Sequence, residues 1–346
     1  MKCIFLFVAT LLSVGANLKI PSIFRKWHCL GAMEHIDFTK PYKINVGELP
    51  LVVWKHPTNG ALSTAINICN HMGSRLDIGT ITDKGCLKCP YHGKELSTEE
   101  GFGQTMAFQG KLFWSYQPAQ PSPPPVPFYE NPKYKTSILT FDMDCSMLDS
   151  ALNMMDIRHP EYVHKLGFGS SKTPTNIRTH TYPTLTDTIG LSFDYQSNVV
   201  MRTINHNTKA TQNYHLFKYP LFTWSRVSFE HKQLIIAVNL LPLAPNKTRW
   251  YVTVCYDYYT TPLQKKFVEM MAFTILTQDS LQMKNQFPDS PLKQAMLLDY
   301  TFPDEEVQIW LRKAFEEYRY PTMDDCAALY LHLRASYTFA DLKRPL

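Results

Sequence analysis

The chain has 346 residues, 45% hydrophobic and 19% charged, with a net charge of +5. That balance excludes a mainly disordered chain and leaves room for about two domains of ordinary size. The charge forms no basic stripe, which speaks against nucleic-acid binding, and eight cysteines are too sparse for a secreted disulfide scaffold.

The chain opens on Lys2, an apolar run over residues 3–12 and small residues up to Ala16, the pattern of a signal or targeting segment over 1–16. The run is shorter than the roughly 20 residues of a membrane span. No later stretch reaches that length without charges, so the mature protein is expected to be soluble or peripheral. Residues 24–116 read as short strands and turns. Asn59-Gly60 between two apolar runs predicts a hairpin, because both turn residues tolerate positive φ. Six prolines between Gln117 and Phe128 give an extended path that cannot pair within a sheet, so 117–128 is expected to be the domain boundary.

Residues 129–346 mix long strands with helices. The β-rich runs 233–241 and 248–255 are joined by Ala244-Pro245-Asn246-Lys247 and predict adjacent antiparallel strands. Thr261 as N-cap and Pro262 at the first helical position predict a helix. Its core stripe is expected to step by four through Leu263, Phe267, Met271, Ile275, Asp279 and Met283. A further helix is expected over 304–318.

Chemistry enters at Cys69-Asn70-His71 and Cys89-Pro90-Tyr91-His92-Gly93, a C-x-H-x17-C-x2-H pattern. In a Rieske centre two thiolates hold one iron and two imidazoles the other. Each iron then takes one ligand from each of two facing loops, and Gly73 and Gly93 sit where those loops turn tightly. A Cys2His2 zinc site normally pairs C-x2-4-C with H-x3-5-H, which this spacing does not match. Cys86 and Cys89 also form a C-x-x-C, but Cys86 reads as a bystander. The run from Leu51 to Ser97 resembles the Rieske domain of ring-hydroxylating and related oxygenases. Cytochrome bc-type Rieske proteins carry an extra cysteine in each loop where this chain has Ser74 and Tyr91, so that branch is disfavoured. Lys94 departs from the aromatic residue these oxygenases often carry.

A second signature is Asn153-Met154-Met155-Asp156-Ile157-Arg158-His159-Pro160-Glu161-Tyr162-Val163-His164. Two histidines and a carboxylate that leave coordination positions open are the facial triad of non-haem Fe(II) enzymes. Asp156 and His159 share a helix face. His159 and His164 are five apart and converge only if the helix bends, for which a kink at Pro160 is expected. The stretch resembles the N-x2-D-x2-H-x4-H motif of Rieske oxygenases, although Leu152 stands where many members have an acid. The resemblance implies that His159 and His164 bind iron. It also implies that Asp156 bridges electron transfer, hydrogen-bonding an iron histidine and the cluster histidine of a neighbouring subunit, with His92 the expected partner. Asp279 is the candidate third ligand: a lone acid in a buried stripe is costly unless paired or metal-bound, and it resembles the family's late acidic ligand. Asp289 and Asp299 are the reserves. His180, His206, His215 and His231 read as ordinary strand residues, some of which would line a substrate cavity.

The expected fold class is therefore α+β, an N-terminal all-β Rieske domain followed by a helix-grip catalytic domain. The resemblance implies a [2Fe–2S] cluster on Cys69, His71, Cys89 and His92 that delivers electrons to a mononuclear Fe(II) on His159, His164 and Asp279. O2 is the co-substrate, for hydroxylation or demethylation of a small aromatic or other cyclic apolar molecule. Similarity extends to aromatic demethylases and, more loosely, to chlorophyll-related oxygenases. No Gly-x-Gly-x-x-Gly follows a strand, so electrons from NAD(P)H are expected through a separate reductase or ferredoxin. A homotrimer is implied by the resemblance alone. The alternative is a Rieske electron-transfer protein whose second domain is inactive. The leader and the Asn246-Lys247-Thr248 sequon point to the secretory route, but cluster chemistry suits a reducing compartment. A plastid or other membrane-enclosed compartment is the expectation that reconciles them.

Overall fold

The computed structural model describes residues 20–98, 101–164, 173–196, 210–229, 232–258, 261–288, 290–297 and 306–336. The 1–16 segment, Asp289, Asp299, His206 and His231 lie outside them. The first part of the chain forms β1 (His28–Ala32), β2 (Tyr42–Val46), β3 (Leu49–Lys55), β4 (Leu62–Ile66), β5 (Thr80–Ile81), β6 (Leu87–Lys88), β7 (Glu95–Leu96), β8 (Gln104–Phe108) and β9 (Lys111–Ser115). These make three small antiparallel sheets, ordered β1-β9-β8, β2-β3-β4 and β5-β6-β7.

β3 shows how the apolar pattern organises this half. Side chains alternate across a strand, so Leu49, Leu51 and Val53 enter the main core. Val52 and Trp54 instead enter a small separate cluster with Leu76, Leu87, Cys69 and Cys89. One strand thus joins the core of the protein to the backs of both ligand loops. The Asn-Gly hairpin exists, with β3 and β4 antiparallel, but its connection is wider than a two-residue turn. His56 N–H donates to Ala61 O at 2.8 Å and Gly60 N–H to His56 O at 3.0 Å, and of the Asn-Gly pair only Gly60 has positive φ. Asn59 instead uses its side-chain oxygen to accept from Ala61 N–H at 2.9 Å, an Asx-type turn.

The proline-rich stretch runs between β9 and β10 (Lys135–Met143) without a strand. It is held to the first half by Gln109, whose Oε1 accepts from Val126 N–H at 2.7 Å. Then follow α1 (Met147–Met155), α2 (His159–Val163), β11 (Thr175–Thr181), β12 (Thr188–Tyr195), β13 (Thr211–Lys218), β14 (Phe222–Phe229), β15 (Lys232–Ala244), β16 (Lys247–Tyr256), α3 (Pro262–Lys284), α4 (Pro291–Leu297), α5 (Glu306–Phe315) and α6 (Met323–Ser336). The strands form one seven-stranded antiparallel sheet in the order β10-β16-β15-β14-β13-β12-β11. Next to its β10 edge lies the expected β15–β16 hairpin, closed by Pro245 and Asn246. α1 lies over β13, β15 and β16; α3 packs on β10; α5 packs on α1 and β12. This is the α+β arrangement expected from the sequence.

The two halves share one continuous core that includes Leu30, Leu51 and Trp114 on one side and Leu240, Leu241 and Trp250 on the other. Polar groups at their junction are paired. Tyr251 OH donates to Leu30 O at 2.8 Å, and the buried Lys111 ammonium donates to Thr253 Oγ1 at 2.8 Å. Unpaired, these groups would cost several kcal/mol on the order set by desolvation, so the junction positions one half firmly against the other.

α3 starts as predicted, with a reciprocal capping box between Thr261 and Gln264. Its buried stripe differs from the four-step pattern. Val268, Leu276, Asp279 and Met283 are buried, whereas Leu263 is 80% exposed and Phe267 is exposed. A strict step of four drifts around a helix of 3.6 residues per turn, so the stripe must include a three-residue step. Asp279 and Met283 survive because that step falls at 276–279. The expected helix over 304–318 corresponds to α5, of which residues from Glu306 are described.

Candidate metal centres

The two ligand loops are built alike. In the first, Cys69 N–H donates to Ser74 O and Gly73 N–H to Cys69 O; in the second, Cys89 N–H donates to Lys94 O and Gly93 N–H to Cys89 O. Gly73 and Gly93 have φ of 75° and 71°, the left-handed region a residue without Cβ enters at no steric cost. Each turn points its cysteine inward and its histidine outward. Cys69 and Cys89 are each 2% exposed, while His71 and His92 lie at the surface with ring centroids 4.7 Å apart. The intervening residues make β5 and β6, the excursion that returns the second loop opposite the first.

Behind the first loop, Asn67 Oδ1 accepts from Leu76 and Asp77 N–H, and Asn67 Nδ2 donates to Asp77 Oδ1 at 2.7 Å. Behind the second, Trp54 Nε1 donates to Gly85 O at 3.0 Å. A Cβ on Gly85 would stand 1.9 Å from the His56 ring, so that turn has room for glycine alone. Burial pushes the Cys89 thiol up, but the main-chain N–H groups of Tyr91 and His92, with the Cys69 and Ser74 side chains, outweigh it and hold the thiol below its ordinary value. All described cysteines are free. Tyr91 packs against His92 with ring centroids 3.9 Å apart and planes tilted by 45°, and Ser74 bonds Cys89, so neither position braces the loops by a disulfide. Two inward thiols, one favouring thiolate, facing two outward imidazoles are the donor set a Rieske cluster requires.

The second cluster departs from the sequence expectation in its backbone. No kinked helix carries Asp156, His159 and His164. α1 ends at Met155, with Asp156 as an extended C-cap, and α2 begins anew at His159 with Pro160 in its first turn. Proline is favoured at a helix start because its missing N–H is not needed there, so it opens a second helix instead of bending the first. His164 is the C-cap of α2, and the break brings the two imidazoles together. The Asp156 carboxylate accepts from Arg158 N–H at 2.7 Å and His159 N–H at 3.2 Å, capping α2. Its main-chain carbonyl, not its carboxylate, accepts from His159 Nδ1 at 2.8 Å.

His159, His164 and Asp279 place their ligand atoms within 4.8 Å of one another. Nε2 of His159 lies 3.2 Å from Nε2 of His164. Asp279 Oδ1 lies 3.6 Å from the former and 3.2 Å from the latter. His164 Nδ1 donates to Gln278 Oε1 at 2.9 Å. With both Nδ1 atoms so engaged, both neutral rings turn bare Nε2 lone pairs onto one point beside a carboxylate, an arrangement a cation between them stabilises. Burial holds His159 below its ordinary pKa against Asp279 and Asp156. Burial also lowers His164, but Asp279 and Gln278 prevail and raise it. Asp279 is 5% exposed, and Asn153 Nδ2 donates to its Oδ1 at 3.4 Å. These donors fit a two-histidine, one-carboxylate metal site with open positions.

A cavity of about 140 Å³ adjoins these ligands. One wall is the sheet, including Phe193, His215, Ser225, Val227, Ile236 and Trp250. Sequence reading named His215 without distinguishing it from the other histidines. His180, by contrast, is spent on Ser192 Oγ at 2.7 Å.

The chain matches the Rieske [2Fe-2S] domain family over residues 26–113. It carries a Rieske [2Fe–2S] domain and has Rieske oxygenases among its relatives and structural neighbours. One relative is the oxygenase component of dicamba O-demethylase from Stenotrophomonas maltophilia, 26% identical over 164 residues, 40% of this chain and 47% of that protein. Another is the oxygenase component of 3-ketosteroid-9-alpha-monooxygenase from Mycolicibacterium smegmatis, 35% identical over 68 residues, 20% of this chain and 17% of that protein. The matched stretch therefore spans less than half of each curated relative. The crystal structure of dicamba monooxygenase bound to dicamba superposes with a TM-score of 0.70 at 15% identity, covering 85% of this chain and 97% of that one. The two-part architecture is shared as a whole.

Proposed function

We propose that this protein is a Rieske non-haem iron oxygenase acting on a small aromatic or other cyclic apolar molecule by hydroxylation or demethylation. The observation that carries the proposal is the His159, His164 and Asp279 cluster beside an apolar cavity, in a chain that also holds a Rieske domain. When bound, a [2Fe–2S] cluster supplies single electrons and a mononuclear Fe(II) supplies O2 activation. Cys69, Cys89, His71 and His92 hold the first, and His159, His164 and Asp279 the second.

The protein's own contribution is orientation and exclusion of water. The Asp156 carbonyl and Gln278 fix the histidine tautomers, and Asn153 steadies Asp279. The apolar sheet wall keeps the reacting face dry. Asp156 is the proposed link between centres, meeting His92 of a neighbouring copy in a homotrimer. The exposed position of the cluster histidines supports an electron path that leaves the subunit. Electrons come from NAD(P)H by way of a separate reductase or ferredoxin, as the relatives' description as oxygenase components supports. A retained set of three ligands in the second half weighs against a mere electron carrier. We also propose a membrane-enclosed compartment such as a plastid, on the character of the leader.

The test is anaerobic iron and sulfide quantification with EPR on wild type and His159→Ala. The variant should lose one iron per chain and keep the Rieske signal. Loss of the cluster as well would undermine the two-site assignment.

A further inference from the structure

α3 is apolar on both sides. Val268, Leu276 and Met283, with Asp279, make its buried side, yet Leu263, Met270, Phe273 and Leu281 are each more than half exposed. Leu263, Met270, Thr274, Thr277 and Leu281 follow at steps of seven, four, three and four residues, which keeps them on one side of a helix of 3.6 residues per turn. That side is opposite the buried one. Phe273 borders it, its ring meeting Phe141 edge-on at 5.1 Å. A helix apolar all round is covered all round, and an exposed run of large apolar side chains marks an interaction surface.

The polar groups of this outer side favour a lipid layer over a protein partner. Thr274 Oγ1 donates to Met270 O at 2.9 Å and Thr277 Oγ1 to Phe273 O at 2.8 Å, so both hydroxyl hydrogens are spent inside the helix. Lys266, four residues before Met270, and Lys284, three after Leu281, flank the outer side near its two ends, and both are exposed. Neither carboxylate of α3 is on that side. Asp279 is buried, and Glu269 accepts from Ser137 Oγ of β10 at 2.8 Å, with Lys265 Nζ 3.7 Å away. Large apolar side chains flanked by lysines match an acyl layer under anionic headgroups. The same side of a second copy would set lysine against lysine.

We infer that the outer side of α3 docks on an anionic lipid surface, with Leu263, Met270 and Leu281 in the acyl boundary and Lys266 and Lys284 among the phosphates. The helix lies along the surface and does not cross it, because its other side is packed into the protein's own core. That inner side lends Ile275, Leu276 and Asp279 to the cavity. On the oxygenase reading, on which this consequence alone rests, docking brings the cavity beside the layer in which an apolar substrate dissolves.

The test is flotation of the full-length protein with vesicles of phosphatidylcholine alone and of phosphatidylcholine and phosphatidylglycerol in equal parts. Wild type should float with the mixed vesicles and far less with the neutral ones. Leu263→Ser combined with Leu281→Ser should lower the partition coefficient on mixed vesicles about ten-fold or more. Lys266→Gln combined with Lys284→Gln should lower it roughly five-fold per lysine and leave neutral vesicles unaffected; an equal loss on both would overturn the choice of anionic lipid. No flotation of wild type overturns the inference. So does equal flotation of wild type and the leucine variant, as when the apolar run over residues 3–12 anchors the chain. A changed oligomeric state of the leucine variant in light scattering would assign this side to a second copy and overturn it too. Iron is counted on the same samples. Docking by protein without the second iron supports the lipid surface and overturns only the oxygenase reading.

Discussion

The two ligand clusters of this protein are held by opposite means. The four ligands at Cys69, His71, Cys89 and His92 lie within one short stretch and are aimed by their own turns, each closed by a pair of main-chain hydrogen bonds and a left-handed glycine. Their histidines are exposed. The triad draws His159 and His164 from the two ends of a five-residue helix and Asp279 from a long helix far along the chain. It is buried, and each of its ligands leans on a second residue. A site made by turns is fixed by local backbone geometry, whereas a site made by packing depends on everything that docks α3 against α2.

Separating the two sites is the sharpest way to break this comparison. Asp279→Ala should abolish product formation and remove the mononuclear iron, with the Rieske visible spectrum intact; Cys89→Ser should do the reverse to the metals. If either variant empties both sites, they are not independent. A smaller effect is expected from Gln278→Leu, which leaves every ligand present but frees His164 to rotate. Iron affinity in a chelator competition should fall about 10–100-fold, with the cluster unchanged. An unchanged affinity would mean that Gln278 does not position His164.

On the other side of the comparison, Gly93→Ala should destabilise the cluster loop alone. The added Cβ meets only the flexible end of Lys88 at 3.3 Å, so the cost is the backbone's, about 1–2 kcal/mol. It should appear as faster loss of the Rieske absorbance on heating, with triad iron retained.

The smallest effect is expected at Asp77, whose carboxyl is held at about 2, first by the Arg75 side chain, against burial, and then by Asn67. A carboxyl depressed in the folded state stabilises it above the unfolded value of 3.8, and that contribution is lost as pH falls towards about 2. Because Arg75 is exposed, Asp77→Asn should cost about 0.5–1 kcal/mol at pH 7. The gap between variant and wild type in urea unfolding should narrow below pH 4, and a gap independent of pH would assign the cost to the Asn67 network instead.

Reading the sequence succeeded where short-range rules apply. The C-x-H and C-x2-H spacings place the glycines that shape the loops. Thr261-Pro262 marks a helix start because capping uses atoms three residues apart. It failed where a local rule had two outcomes. Pro160 was expected to kink a helix, but proline also starts one, and the Asp156 carboxylate, capping α2 through Arg158 and His159 N–H, settles the choice. The stripe of α3 was misplaced in its first half because its partner strand, β10, is distant in sequence.

The sequence by itself determined the donor chemistry: two thiols and two imidazoles at a spacing suited to facing turns, a histidine pair near a carboxylate, and a lone acid in an apolar helical stripe. These are consequences of residue type and of separations short enough for backbone geometry to act. Only the tertiary structure decided that Asp279 joins His159 and His164, that Gln278 and the Asp156 carbonyl set the tautomers, and that a cavity lies beside them. Those facts depend on how α1, α2 and α3 close over the sheet, and that closure is set by burial summed over the whole core.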